Sequence, residues 1–134
     1  MSISAIRSTL ETALDGMTPA MATAWQNVPF TPVVGTPYQR ASLLLAEPDN
    51  REFGASFQEQ GFLQVDLCYP QSVGSNAAEA RAELLRTTFK RGTSFNAGSG
   101  IISITNTAEI KPAYNDGDRY VIPVRIRFNS YISL

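Results

Sequence analysis

The stretch NVPFTPVVGTPYQRASLLLAEP, residues 27–48, decides the fold of this chain. Its first dozen residues contain three prolines and one glycine. Because proline fixes φ and lacks an amide donor, this part cannot be helix or an inner strand. We therefore predict an extended arm at about residues 27–39 that lies against another surface. The apolar run that follows predicts a strand over Arg40–Glu47 with both faces partly covered.

A second strand is predicted in GFLQVDLCYP, residues 61–70. Apolar and polar side chains alternate from Gly61 to Tyr69, so one face of the strand meets the core and the other faces outward. The segment between the two strands, residues 48–60, is polar, with Phe53 and Phe57 as its only large apolar side chains. It is predicted to be an unusually long connection.

Two amphipathic helices are predicted on either side of these strands. The first covers residues 3–15, with Ser2 as its N-cap and Gly16 in the left-handed position after its end. The second covers about Ala77–Arg91, with Asn76 as its capping residue.

The remaining elements are short strands and a long final strand. The short strands are predicted at residues 23–26, 94–96, 100–105 and 108–112. A strong turn signal at residues 115–118 precedes a final strand over Arg119–Ser130, in which apolar and polar residues alternate. The order α-β-β-β-α-β-β-β predicts an α+β fold in which two helices pack against a mostly antiparallel β-sheet, as a single domain over residues 1–134.

The composition excludes several classes of protein. With 43% hydrophobic and 17% charged residues the chain is globular, and its net charge of −1 gives no basic excess for binding nucleic-acid phosphates. Its apolar runs are too short to span a membrane, and its N-terminus lacks a signal-type core, so we expect it to stay in the cytoplasm where it is made. The single cysteine, Cys68, is predicted to be a buried apolar residue in a strand.

No catalytic, cofactor or metal site is predicted. The chain has no histidine, which removes the commonest general base and metal ligand. Gly98-Ser99-Gly100 is followed by a strand rather than a helix, so we interpret it as a hairpin turn and not a phosphate-binding loop. The carboxylates in segment 47–59, and those flanking Gly117, lack the spacing of a cation-binding loop and are interpreted as solvated.

The outward face of the final strand carries three arginines: Arg119, Arg125 and Arg127. They form either an ordinary solvated face, where each charge contributes about 0–1 kcal/mol, or a subunit interface that pairs with carboxylates. The candidate carboxylates, on a neighbouring copy, are Glu47, Asp49 and Glu52. A head-to-tail contact of this kind closes into a ring if the rotation permits.

Aromatic side chains border the arm, among them Phe30 and Tyr38. They either anchor the arm to its own domain or dock on a neighbouring subunit, as aromatic residues do at interface centres. The sequence leaves both interpretations open.

Four segments together resemble the tail terminator-like family of tailed, siphovirus-type bacteriophages and prophages. They are the stretch 27–48, GFLQVDLCYP at 61–70, LLRTTFKRG at 84–92 and GDRYVIPVRIRF at 117–128. The resemblance extends from about Trp25 to Phe128 and lies in the order and spacing of prolines, glycines and strand residues.

The resemblance implies a structural protein of the virion that needs no cofactor or active site. It implies a homo-oligomeric ring, expected to be a hexamer, at the head-proximal end of the tail and assembled in the host cytoplasm. The implied partners are the tail-tube protein and a head-completion or connector protein, with DNA passing through the ring without sequence-specific binding and no membrane involved. The alternatives are another neck or tail-tube protein, or a small monomeric ligand-binding domain.

Overall fold

The computed structural model describes residues 2–50 and 54–133. Two helices and eight strands follow one another along the chain. Their bounds are α1 Ile3–Asp15, β1 Ala22–Ala24, β2 Tyr38–Leu45, β3 Ser56–Pro70, α2 Asn76–Thr88, β4 Ser94–Asn96, β5 Ile101–Ile104, β6 Glu109–Ile110, β7 Tyr114–Asp116 and β8 Arg119–Ser133.

The predicted α+β class and element order are confirmed, with very short strands added before β8. The eight strands form one sheet in which β1 and β2 pair in parallel and all other pairs are antiparallel. Strand β8 pairs with β3 along one edge and, along its other edge, successively with β5, β6 and β7. The final strand is therefore the centre of the sheet.

Strand β3 is longer than predicted. It begins at Ser56 instead of Gly61 and contains 15 residues, all of which pair with β8. Part of the segment before it also runs beside β3, because the amide of Ala46 donates to the carbonyl of Gln60 at 2.8 Å. The prediction of a long connection was wrong because polar residues such as Gln60 gain their backbone hydrogen bonds from a strand far away in sequence.

Both ends of α1 agree with the predicted helix over residues 3–15, but the predicted left-handed conformation of Gly16 was wrong. The amide of Ala5 donates to Oγ of Ser2 at 3.2 Å, which satisfies one of the free amides of the first turn. Gly16 has φ of −79°, so it continues the right-handed conformation instead of the left-handed one. Its amide bonds to the carbonyl of Thr12 at 3.0 Å, which closes the last turn without a special glycine conformation.

The second helix differs slightly from its predicted bounds. Asn76 is the first helical residue rather than the cap, and Ser75 occupies the cap position without a side-chain hydrogen bond. The helix ends at Thr88, three residues before the predicted Arg91.

Both helices cover one face of the sheet, and the core lies between them and the strands. The alternation predicted for β3 and β8 is confirmed: their inward residues are almost fully buried. The large core side chains from the four main elements are Ile6, Leu10, Leu14, Leu63, Val65, Leu67, Leu85, Ile122, Val124, Ile126 and Phe128. Each such side chain contributes about 1.5–3 kcal/mol by leaving water. Neither of the two described helices lies over the opposite, outward face of the sheet.

Gly61 allows β2 and β3 to approach closely. A Cβ atom at this position would lie 2.3 Å from the carbonyl oxygen of Leu44, a backbone atom that cannot move independently. We expect Gly61→Ala to lower the free energy of unfolding by about 1–3 kcal/mol, the usual cost of overpacking. Chemical denaturation measures this change, with Gly16→Ala as the control at a helix end with ordinary φ. Equal stability of the two variants would contradict the close approach.

Candidate functional site

Two arginines on the outward face flank an aromatic ring. The guanidinium carbon of Arg125 lies 4.2 Å from the ring centre of Phe62, and that of Arg127 lies 5.8 Å from it. Strand pairing explains this arrangement, because Phe62 is directly opposite Arg127 in the β3–β8 register. The Nε atom of Arg125 is buried and has no hydrogen-bond partner. Among residues 2–50 and 54–133, no carboxylate oxygen lies within 4.0 Å of either guanidinium.

The carboxylates nearest to this arginine pair have other partners. Asp66 lies 3.5 Å from the guanidinium of Arg40, and Glu109 lies 2.8 Å from the ammonium of Lys111. The hydrogen bond and charge of Lys111 lower the pKa of Glu109, and Arg125 adds to this effect from farther away. The arginine pair therefore has carboxylates nearby in its own chain, but none of the carboxylates that the structure describes is in contact with it.

Arg119 has a different environment from the other two arginines. It lies on the same outward face, but the arm covers it and leaves only 5% of it exposed. Its Nη1 donates to the carbonyl of Thr36 at 2.5 Å and its Nη2 to the carbonyl of Val33 at 2.7 Å. Its guanidinium also lies 5.0 Å from the ring centre of Tyr38. Arg119 thus holds the arm against its own chain.

The arm is an extended segment that ends in a tight turn. The amide of Thr36 bonds to the carbonyl of Val33 at 3.1 Å, and Gly35 has φ of +80° inside this turn. A positive φ at the third turn position favours glycine. The turn presents two apolar side chains to solvent, since Val33 is 65% and Val34 is 86% exposed.

The aromatic residues predicted to border the arm contact each other. The rings of Phe30 and Tyr38 have their centres 5.1 Å apart and are tilted by 34°. Tyr38 is already the first residue of β2, so the arm gives way to a strand earlier than its predicted end at residue 39. In this chain the aromatic pair anchors the arm to its own sheet. Docking on a neighbour remains a prediction.

Two of the predicted acidic partners, Glu47 and Asp49, lie beside β3 away from the arm. Glu47 is exposed, and its carbonyl oxygen accepts a hydrogen bond from the side chain of Gln60 at 2.9 Å. Asp49 forms an isolated β-bridge with Gln58, and Glu52 lies outside the described residues. Among the described residues, no ion pair joins the acidic segment to the arginine pair.

A further carboxylate lies beside the arm, and the sequence analysis interpreted it only as a solvated residue flanking Gly117. Asp118 occupies the two-residue turn between β7 and β8, where Gly117 has φ of +60°. Its side chain is 71% exposed and lies 3.9 Å from Nε of Arg119. With Val34 and Tyr38 it lines a cleft of about 420 Å³. The sequence signal predicted the turn, but only the folded arm places an acid next to exposed valines.

Cys68 lies beneath Tyr38 on the outward face and is 1% exposed, which confirms the prediction of a buried apolar residue. Burial raises the pKa of its thiol and also raises the pKa of Tyr38. A raised pKa in the folded state gives stability that is present below the unfolded value, about 8.5 for cysteine, and is lost as the pH rises.

We therefore expect the melting temperature to fall between about pH 8 and about pH 10, and to fall less steeply in Cys68→Ala. Differential scanning calorimetry across this range measures both slopes. Parallel slopes for the two proteins would show that the thiol does not cause the change.

Metal and membrane sites are not found in the described part of the chain. Within residues 2–50 and 54–133, no group of three or more acidic or cysteine side chains could hold a metal ion. None of the described helices has the length and apolarity needed to cross a bilayer.

Comparison with known proteins identifies the family. The family model described as phage tail terminator protein matches residues 5–128. The chain belongs to the phage tail terminator family. This match confirms the resemblance seen in the sequence and includes the arm, the arginine pair and both helices.

A solved structure shares the fold of this chain. A solved protein structure superposes on the chain with a TM-score of 0.80 at 26% identity, covering 97% of this chain and 96% of the solved one. No curated protein matches the chain. The terminator family is structural rather than enzymatic, and its members belong to the virion tail.

Proposed function

We propose that this protein caps the growing tail tube as a ring, ends tube elongation and then presents the surface to which the filled head joins. The family match over residues 5–128 carries this proposal. The ring is expected to be a hexamer at the head-proximal end of the tail, assembled in the host cytoplasm. The protein acts by contact alone, so it is not an enzyme and uses no cofactor.

The surface chemistry supports a protein that works through contacts. The outward sheet face carries an arginine pair without carboxylate contact, and the arm presents exposed valines on a fixed turn. Arginine and apolar side chains together are typical of interface centres. The proposed partners are other copies of the chain, the tail-tube protein and a head-completion or connector protein.

The low net charge of the chain has a consequence for the passage of DNA. The net charge of −1 gives little attraction for phosphates, so DNA can slide through the ring without sequence-specific binding.

The proposed subunit or tube contacts are the arginine pair, the arm with Phe30 and Tyr38 held by Arg119, and the acidic segment with Glu47, Asp49 and Glu52.

Electron microscopy of lysates from a phage that lacks this gene tests the proposal. We expect overlong, headless tails beside filled, tailless heads, and normal particles when the wild-type gene is supplied from a plasmid. Tails of normal length with heads attached would overturn the proposal and favour a ligand-binding domain. A complete absence of tails would also overturn it and favour a tube or tail-initiation protein.

A further inference from the structure

Two surfaces of the molecule lie at different positions along the two central strands. Strands β3 and β8 each contain 15 residues and pair along their full length. At about 3.4 Å per residue they extend for about 50 Å. Pro70 and Arg119 pair at one end, and Ser56 and Ser133 pair at the other.

The first surface, which we name the arm end, combines apolar and acidic groups. It consists of the exposed side chains of Val33, Val34 and Asp118 at the Arg119 end of β8. Both valines belong to one tight turn whose carbonyl groups accept hydrogen bonds from Arg119. A surface fixed in this way loses little conformational freedom when it binds a partner.

The second surface, which we name the distal face, combines apolar groups and arginines. It lies on the outward side of the sheet and extends from the middle of the β3–β8 pair toward the end where Ser56 and Ser133 pair. Its members are Leu44, Phe62, Ile101, Arg125, Arg127 and Tyr131. Leu44, Ile101 and Tyr131 are 41%, 58% and 55% exposed. Exposed large apolar side chains beside arginines on aromatic rings mark a protein contact better than a nucleic-acid contact.

We propose that the arm end of one copy docks on the distal face of the next copy, with Asp118 facing Arg127. This inference rests on the proposed ring and names its subunit contact. The two surfaces are complementary. The valines of the arm end meet the apolar side chains of the distal face, and Asp118 meets arginines that contact no carboxylate among the described residues. Because the two surfaces are different patches of the same chain, the contact is head-to-tail, which is the kind that generates rings.

The position of Asp118 makes it a better partner than Glu47. Glu47 leaves the sheet beside Gln60, which pairs with Asn129, two residues along β8 from Arg127. A contact through Glu47 would join the distal faces of two copies to each other. Asp118 belongs to the arm end, so a contact between Asp118 and Arg127 joins two different surfaces and is head-to-tail.

Charge exchange in a phage that lacks the gene tests this pairing. Plasmids supply Asp118→Lys, Arg127→Glu or both changes in one chain, and plaque titre and tail length are measured. Because like charges in an interface are strongly unfavourable, each single change is expected to lower the titre by about 100-fold and to give overlong tails. The double variant restores the attraction at every subunit contact, so its titre is expected to return to within about tenfold of wild type.

Matched controls separate this contact from a general effect of charge. Glu83→Lys and Lys90→Glu reverse exposed charges on or next to α2, and both are expected to behave like wild type. A double variant no better than its single variants would overturn the pairing, as would rescue of Arg127→Glu by Glu47→Lys instead of Asp118→Lys.

The apolar part of the contact has its own test. Val33→Ser with Val34→Ser is expected to lower the titre by about 100-fold, whereas Ile3→Ser, which changes an exposed apolar residue at the start of α1, leaves the titre unchanged. Normal titres for the double serine variant would overturn the docking of the arm end. Overlong tails in the gene deletion together with normal titres in these variants would reject this contact and leave the proposed function standing.

Discussion

Replacement of both Arg125 and Arg127 with glutamate is expected to abolish tail termination while the protein still folds. The two guanidiniums lie against Phe62 and contact no carboxylate among the described residues, so their charge is available to a partner. Reversal of both charges places like charges in the proposed contact, which costs several kcal/mol for a close pair. We expect a fall in phage titre of about 100-fold or more and overlong tails in electron micrographs.

The cost to folding is expected to be small by comparison. Each lost contact with Phe62 contributes about 0.5–1 kcal/mol, and a glutamate at 125 adds repulsion from Glu109, its neighbour on β6. Circular dichroism and thermal unfolding measure this cost. The control, Lys90→Glu with Arg91→Glu, carries the same net charge with the changes just after α2. Normal termination by the Arg125 and Arg127 variant would show that the arginine pair is only solvated surface.

Replacement of Arg119 with alanine is expected to release the arm. The side chain is nearly buried and donates to two carbonyl groups of the arm turn, and hydrogen bonds from a charged donor contribute about 1.5–3 kcal/mol each. Because the freed carbonyl groups regain water at the surface, we expect a net loss of about 2–3 kcal/mol rather than the full sum.

Limited proteolysis with elastase, which cuts after small aliphatic residues, reports the release directly. Cleavage near Val33 is expected to be much faster in the alanine variant than in wild type. Arg86→Ala is the control, because Arg86 bonds a carbonyl group, that of Ala108, far from the arm. Equal cleavage rates in the Arg119 variant and wild type would mean that the arm keeps its shape without the guanidinium.

The sequence predicted those parts of the fold that depend on local pattern. Alternation located the core positions of β3 and β8, and the prolines placed the arm outside the helices and strands. It did not predict the first residues of β3, because polar residues there become strand only by pairing with β8. Nor did it predict that β7, at Tyr114–Asp116, pairs with the start of β8 instead of forming only a turn.

The candidate site could be predicted only in part for the same reason. Alternation placed Arg119, Arg125 and Arg127 on one face, which the structure bears out. It could not show that the arm folds back over Arg119, since Val33 and Thr36 lie more than 80 residues away in sequence. The importance of Asp118 depends on this same long-range contact. Sequence spacing therefore located the charges but not which of them are exposed.

The central position of β8 also governs when the chain can fold during synthesis. Every backbone pair between β3 and β8 joins residues at least as far apart as Pro70 and Arg119, so the middle of the sheet cannot form while β8 is still in the ribosome. Until then β3 has an unpaired edge, which is prone to aggregation. Formation of the middle of the sheet thus depends on completion of its last strand rather than on the appearance of β3.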